Sequence, residues 1–482
     1  MVNIKMILRI MGVLLIIESL MLLLCIGISF FYQEDDLNAF AITAGLTGFI
    51  GFLAIAFSKG AKKQLSRREG YLIVSLSWII VSIFGMLPYY LSGYIPTVTD
   101  AFFETISGFS STGSTILNNI EEFPHGLLFW RSMTQWIGGL GIIFFTIAVL
   151  PLLGVSGIQL FAAEASGITV DKVHPRIGVT AKWIWSIYIG ITLIQIILLC
   201  FGDMNLFDSV CHSLTTTGTG GFSTKQDSIG FYQSAYIEYV IAFFMILSGV
   251  NFTLLLLAVT GRFRKVLQNS ELKYYLASII TLTVIISIGL YYSTNNGMEE
   301  SFRKAIFQVG SLHTSTGFIT DDYMQWKPVL WGILFIPMFV GACAGSTSGG
   351  FKSIRIVIIA KITMNELKRI IHPNLVLRPK VNNQIVQNSI QSTVLAFSFI
   401  YLLTIVLSTL FLLAFDLNFL DSLGIVISSI SNMGPGFGSF GPEFSWSALP
   451  VAGKWLSSFL MLIGRLELFT ILLLFTPGFW KG

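Results

Sequence analysis

Four short stretches combine glycine with hydroxyl and amide side chains: "SSTGSTIL" from Ser110, "TTTGTGGFST" from Thr215, "HTSTGFITDD" from His313 and "SNMGPGFGSFGPE" from Ser431. Their chemistry is that of oxygen ligands. A narrow ion path is lined best by backbone carbonyls, which replace the hydration shell of a cation. Turning successive carbonyls to one axis needs backbone angles that glycine adopts without a Cβ penalty. Serine and threonine add further oxygens. No thiolate or imidazole cluster accompanies them, so an alkali cation suits the set better than a transition metal.

The four stretches overlay. "DAFFETISGFSSTG" ends at Gly113, "DSVCHSLTTTGTGG" at Gly221, "KAIFQVGSLHTSTG" at Gly317 and "DSLGIVISSISNMG" at Gly434. Each block begins amphipathic and ends in small polar residues. The second offers Gly218, Gly220 and Gly221, and the common register selects Gly221. Each block predicts a half-helix of roughly nine residues, too short to cross a bilayer, that enters the membrane and returns. Irregular backbone at that depth is tolerated only where protein buries it or water lines it. The C-terminal ends of such half-helices carry partial negative charge and favour a cation.

The elements that hold these blocks are apolar. Of 482 residues, 54% are hydrophobic and 11% are charged, whereas a soluble domain carries about 25% charged residues. Apolar runs begin at Ile7, Ala39, Tyr71, Phe129, Trp183, Tyr236, Tyr274, Val329, Val394 and Trp455, and spanning takes roughly 20 residues. The first run lacks a signal cleavage site. Basic residues gather in "SKGAKKQLSRREG" (58–70), in "GRFRKV" (261–266) and between Lys352 and Lys380. The connections carrying the glycine-rich blocks are acidic instead. The positive-inside rule therefore predicts a cytoplasmic N-terminus and blocks that enter from outside.

This is the pattern of an all-α polytopic membrane protein. Four pseudo-symmetric helix, re-entrant loop, helix repeats surround one pore, after two extra N-terminal helices. The expected divisions are 1–70 for the extra helices and a basic linker, then repeats at 71–153, 154–263, 264–380 and 381–482.

The four blocks, "GACAGSTSGGFKSIRI" (341–356) and the tail "LIGRLELFTILLLFTPGFWK" (462–481) resemble the Trk/Ktr/HKT superfamily of potassium transporters, nearest its bacterial TrkH/TrkG membrane subunits. The resemblance covers nearly the whole chain, including the two extra helices. It implies a selectivity filter with one glycine per repeat, here Gly113, Gly221, Gly317 and Gly434. Neighbouring oxygens then come from Ser111, Thr112, Thr219, Gly220, Ser315, Thr316, Asn432 and Met433. No loop carries the full TVGYG string of potassium channels. The resemblance also implies potassium and rubidium uptake across the bacterial inner membrane, a homodimer, and docking of a TrkA-type cytoplasmic NAD/ATP-binding subunit.

"CAGSTSGG" (343–350) interrupts an apolar run, where glycine and serine cost helix stability. It reads either as a kink or, following the resemblance, as an intramembrane gate of Gly345, Ser346, Thr347, Ser348, Gly349 and Gly350. Lys352 and Arg355 are expected to face the cytoplasm. Arg465 lies inside the last span, where a charge costs at least about 2.5 kcal/mol. It is expected to contact the gate or repel cations, or to form an interhelical ion pair. Glu467, two residues on, does not share its helix face. His212 and His313 read as hydrogen-bonding supports, and Asp100, Asp208 and Asp421 as N-caps. The four cysteines read as small buried residues. Trp326, Trp331, Trp446 and Trp480 fit interfacial belts.

Other classes fit less well. A transporter of organic solutes is the alternative, but such folds show inverted repeats, and these repeats are parallel. A membrane enzyme needs clustered acids, bases or nucleophiles; the chain has five histidines and no HExxH or GxSxG. No P-loop or GxGxxG follows a strand, so no organic cofactor or nucleic acid is expected on this chain, only potassium and membrane lipid.

Overall fold

The computed structural model describes residues 3–61, 65–141, 177–294 and 297–481. Two helices open the chain as a hairpin, α1 (Ile4–Tyr32) and α2 (Leu37–Phe57). A methyl group built on Gly12 would lie 2.7 Å from the Gly51 carbonyl oxygen, so only glycines allow this approach.

Four similar units follow. The first runs through α3 (Arg67–Gly85), a short α4 (Leu87–Leu91), α5 (Val98–Phe109), a loop, and α6 (His125–Leu140). The second is α7 (Ile177–Cys200), α8 (Leu206–Thr217), a loop, α9 (Ala235–Ser248) and α10 (Phe252–Val259), and α11 (Phe263–Gln268) leads onward. The third is α12 (Ser270–Ser293), α13 (Met298–His313), a loop and α14 (Pro328–Phe339), then β1 (Val340–Gly341), β2 (Phe351–Lys352) and α15 (Ser353–Ile371). The fourth begins with a hairpin, β3 (Lys380–Val381) and β4 (Gln384–Ile385), and continues as α16 (Asn388–Leu413), α17 (Phe419–Ser431), a loop, α18 (Val451–Arg465), α19 (Glu467–Leu472) and the terminal α20 (Pro477–Lys481). The expected division at 153/154 lies outside the described residues.

The units close in cyclic order. Half-helix α8 packs on α6 of the first unit, α13 on α9 of the second, α17 on α14 of the third, and α5 on α18 of the fourth. The chain is thus a polytopic, all-helical membrane protein, with strands limited among the described residues to two-residue pairs.

Several expectations need correction. The half-helices are 12, 12, 16 and 13 residues long, longer than the amphipathic blocks suggest, because capping residues upstream start them earlier. Their N-caps are Thr97, Asn205, Gly297 and Asn418. Asp100, Asp208 and Asp421 sit three positions later, where a carboxylate still favours the helix dipole. The ten apolar runs are not ten straight spans: six described helices are long and apolar enough to cross a membrane. The second helix of each unit stops short. α6 ends at Gly141, with φ 87°; α9 and α10 meet at 102°, and α18 and the segment after it at 106°; α14 gives way to β1. Trp326 and Trp446 are buried within the protein. Cys200 is exposed, while Cys25, Cys211 and Cys343 are buried.

Candidate ion pathway

Each half-helix ends in the same turn. Ser111 N–H donates to Gly108 O at 2.9 Å and Thr112 N–H to Ser107 O at 2.9 Å. The equivalents are Thr219 to Thr216 and Gly220 to Thr215, Ser315 to Leu312 and Thr316 to Ser311, and Asn432 to Ser429 and Met433 to Ser428. This is the paired bond pattern of a Schellman cap, with its left-handed position filled by a side-chain-bearing residue. Ser111, Thr219, Ser315 and Asn432 have φ of 50°, 50°, 54° and 52°. Non-glycine residues there cost about 1–2 kcal/mol each, so four such residues mark a backbone held by its surroundings.

Two residues on, Gly113, Gly221, Gly317 and Gly434 are left-handed again, at 87°, 76°, 82° and 102°. Gly218 has φ −71°, and Gly220 is absent from the left-handed set. The backbone therefore puts the second loop's special glycine at Gly221. Thr112, Gly220, Thr316 and Met433 are thus each flanked by two left-handed residues.

The loops form a closed ring. A methyl group built on Gly113 would lie 2.1 Å from Gly220 O; on Gly221, 2.0 Å from Thr316 O; on Gly317, 2.0 Å from Met433 O; and on Gly434, 2.9 Å from Thr112 O. A cavity of about 60 Å³ borders all four glycines and is edged by Lys225, Glu443 and Trp446. Glu443 is exposed at this mouth. Partial desolvation, then the charges of Asp322, Asp227 and Asp321, raise its carboxyl above the usual range.

Side chains behind the ring fix it. Ser107 Oγ donates to Ser114 O at 2.6 Å, Ser311 Oγ to Phe318 O at 2.7 Å and Ser428 Oγ to Gly434 O at 2.8 Å. The matching Thr215 bonds back into its own helix, and Gln135 of α6 holds the second loop instead. Gln135 Nε2 donates to Gly220 O at 2.8 Å and its Oε1 accepts from Phe222 N–H at 2.9 Å. Arg131, one turn away, pairs with Glu104 at 2.8 Å, donates to Ser223 O at 3.0 Å and lies 4.0 Å over the Phe222 ring. Both charges are buried, where breaking a pair costs about 3–5 kcal/mol. None of Glu104, Arg131 or Gln135 stood out in the sequence. Arg131 within an apolar run was the available signal.

His212 bonds to Asp208 O at 2.8 Å and Ser223 Oγ at 3.0 Å, and His313 to Ser278 Oγ at 2.7 Å. Both act as braces. The aspartates tie down the strand leaving each loop: Asp208 accepts from Thr224 Oγ1 at 2.6 Å and Tyr232 OH at 2.9 Å, and Asp421 from Ser439 N–H at 2.9 Å. Asp100 instead pairs with Lys454 at 2.7 Å.

Below the ring, residues 340–352 form a loop closed by the parallel pairing of β1 and β2. Its tip touches the ring: Gly349 N–H donates to Ser315 Oγ at 2.7 Å, and Ser348 Oγ lies 3.1 Å from it. Arg465 Nη1 donates to Thr347 O at 2.7 Å, and Nη2 bonds to Gly138 O and Gly139 O at the end of α6. One guanidinium thus joins the loop to the first and fourth units. Glu467 pairs with Arg355. Arg355 is buried, with its guanidinium 3.9 Å over the Phe397 ring. It does not face the cytoplasm as expected. Among the described residues, no group of three or more His, Cys, Asp or Glu could hold a metal.

A ring of oxygen ligands, with a loop beneath it inside a four-unit helical membrane protein, defines the class of cation-transporting pore-loop proteins. The chain matches the family described as TrkH, cation transport protein, over residues 39–290 and 280–481. It is 39% identical over 98% of both chains to the Trk system potassium uptake protein TrkH of Salmonella typhimurium. It is 36% identical to that of Halomonas elongata, over 99% of this chain and all of the relative. The crystal structure of the potassium transporter TrkH from Vibrio parahaemolyticus superposes with a TM-score of 0.90, at 32% identity, covering 99% of this chain and 100% of that one. The chain belongs to the TrkH family, whose members are transporters and not enzymes.

Proposed function

We propose that this protein carries potassium, and with it rubidium, into the bacterial cell across the inner membrane, with its N-terminus cytoplasmic. The observation that carries the reading is the closed ring of four left-handed glycines, each against the next loop's carbonyl. Such a ring presents oxygen ligands at fixed spacing, which suits a dehydrated alkali cation. Ser111, Thr112, Thr219, Gly220, Ser315, Thr316, Asn432 and Met433 supply the flanking oxygens. Names of the relatives, potassium uptake proteins, support the choice of ion.

Residues Gly345 to Gly350 act as the gate, with Arg465 holding it shut. The bonds from this loop to Ser315 and from Arg465 to it support this reading. The exposed end of α15, with Lys368, Arg369, Ile370 and Ile371, offers a basic and apolar face to a TrkA-type NAD/ATP-binding subunit, and the working unit is a homodimer. Rubidium uptake into proteoliposomes of purified protein, with sodium or lithium substituted and the membrane potential clamped, tests the reading. Uptake of rubidium in preference to sodium is expected. Equal uptake of both, or none above protein-free vesicles in folded protein, would overturn it.

A further inference from the structure

The gate loop hangs from a residue that neither the ring nor Arg465 involves. Glu271 lies in the first turn of α12 and is buried. Its Oε1 accepts Ala344 N–H at 2.6 Å and Ile354 N–H at 3.2 Å. Ala344 immediately precedes the gate residues 345–350 and Ile354 follows them, so a single carboxylate oxygen ties the two limbs together. Bonds from backbone donors to a carboxylate are stronger than bonds between neutral groups.

The rest of the first limb is docked on the broken helix of the second unit. Cys343 N–H donates to Gly249 O at 3.1 Å, and Phe252 N–H to Gly345 O at 3.0 Å. Thr347 Oγ1 donates to Ser248 O at 3.3 Å. These contacts hold one limb only. Glu271 joins that limb to the second, which β1 and β2 pair at the loop's neck.

Glu271 also stands at the start of its helix. The preceding residues, Arg262, Phe263, Arg264, Lys265 and Leu267, are exposed and form the basic connection at 261–269. Its neighbour Ser270 donates its N–H to Asn382 Oδ1 at 2.7 Å, within the turn of the β3–β4 hairpin. The first turn of α12 is therefore fastened to two surface segments on one side and to both gate limbs on the other. We infer that Glu271 is the positioning residue that couples the basic face of the protein to the gate. Displacing the start of α12 draws on both limbs at once, and removing the carboxylate frees the loop from that control. Coupling of this kind needs a physically connected element that both sites bias.

The inference rests on the loop being the gate, and its test separates the two ideas. Rubidium uptake is measured in proteoliposomes for wild type, E271Q, E271D and E271A. Thiol labelling is measured on a Ser346→Cys background with a membrane-impermeant reagent, which reads the loop's exposure without any flux. Glutamine keeps an acceptor oxygen at the same reach, so E271Q is expected nearest to wild type. Aspartate is one methylene shorter and reaches one limb at most. E271D and E271A are expected to raise both uptake and labelling, by about tenfold for E271A. If E271A does not assemble, E271Q and E271D carry the test. Equal labelling in those two folded variants overturns the role of Glu271. Faster labelling without greater uptake leaves Glu271 holding the loop but removes the loop's role as the gate, and so overturns the coupling as well.

Discussion

The ring and the floor beneath it are built on opposite plans. In the ring, four loops repeat one backbone: the same cap, a left-handed polar residue, one residue outside that region and a left-handed glycine. Under the ring, the described ends of the four second helices differ. α6 ends at a left-handed Gly141; α9 bends through Gly249, Val250 and Asn251; α14 opens into a loop; α18 turns at Leu466 and a left-handed Glu467. Among the described residues, the third is the one followed by a loop that reaches Ser315 of the ring. On the function proposed above, a permeating ion needs equal ligands on all sides, which would enforce likeness above, and a gate needs one movable part with fixed neighbours, which would reward unlikeness below.

Substitutions in the ring should strike hardest. Gly317→Ser would press a Cβ to 2.0 Å from Met433 O on a left-handed backbone, while Gly434→Ser meets Thr112 O at 2.9 Å. We expect Gly317→Ser to cut the rubidium-to-sodium uptake ratio by about tenfold or to prevent assembly, and Gly434→Ser to do less. Equal losses at both positions would show that fit within the ring is not what sets selectivity.

Arg465→Ala comes next. It removes the donors to Thr347 O and to the end of α6. Basal uptake should rise by several-fold to about tenfold with the ion ratio unchanged, and Arg465→Lys should fall between, lacking the planar fork. Thermal stability on the same preparation decides the matter: lower stability without extra uptake per folded molecule would make Arg465 a strut.

Ser315 belongs to both regions, since its hydroxyl accepts the N–H of Gly349 in the loop below. Ser315→Ala should loosen the gate by about threefold, the worth of one buried hydrogen bond. An unchanged uptake at low external rubidium would mean that ring and gate are not linked through this contact.

The smallest effect lies at the mouth. The raised Glu443 carboxyl loses its charge as external pH falls through its elevated range, before an ordinary glutamate would. Apparent affinity for rubidium should weaken over that interval by about twofold, more at low ionic strength. Glu443→Gln should remove that step from the pH profile; an unaltered profile would assign it elsewhere.

Much of the ring's register was legible because glycine with clustered hydroxyls is a local signal, repeated four times. The second loop's glycine followed from the overlay, and the left-handed φ of Gly221 agrees with it. The braces were not legible. Gln135 and Arg131 meet Gly220 and Ser223 across unit boundaries, and nothing near them in sequence announces the partner. Asp208 looked like a cap because its spacing fits one, but Asn205 caps the helix and also donates its amide to Asp208 Oδ2, and the carboxylate goes on to accept from Thr224 and Tyr232. The helix breaks were hidden for another reason. Apolar composition reports that a segment is buried, not whether it stays straight.

The ring's closure from one chain also has a genetic consequence. In a pore assembled from four identical subunits, every mutation arrives in quadruplicate. Here a codon change edits a single quadrant, Gly434 without Gly113 or Gly317 without Gly221. On the function proposed above, ion preference can therefore be adjusted in quarter steps, and the third quadrant can change its loop at 340–352 by itself.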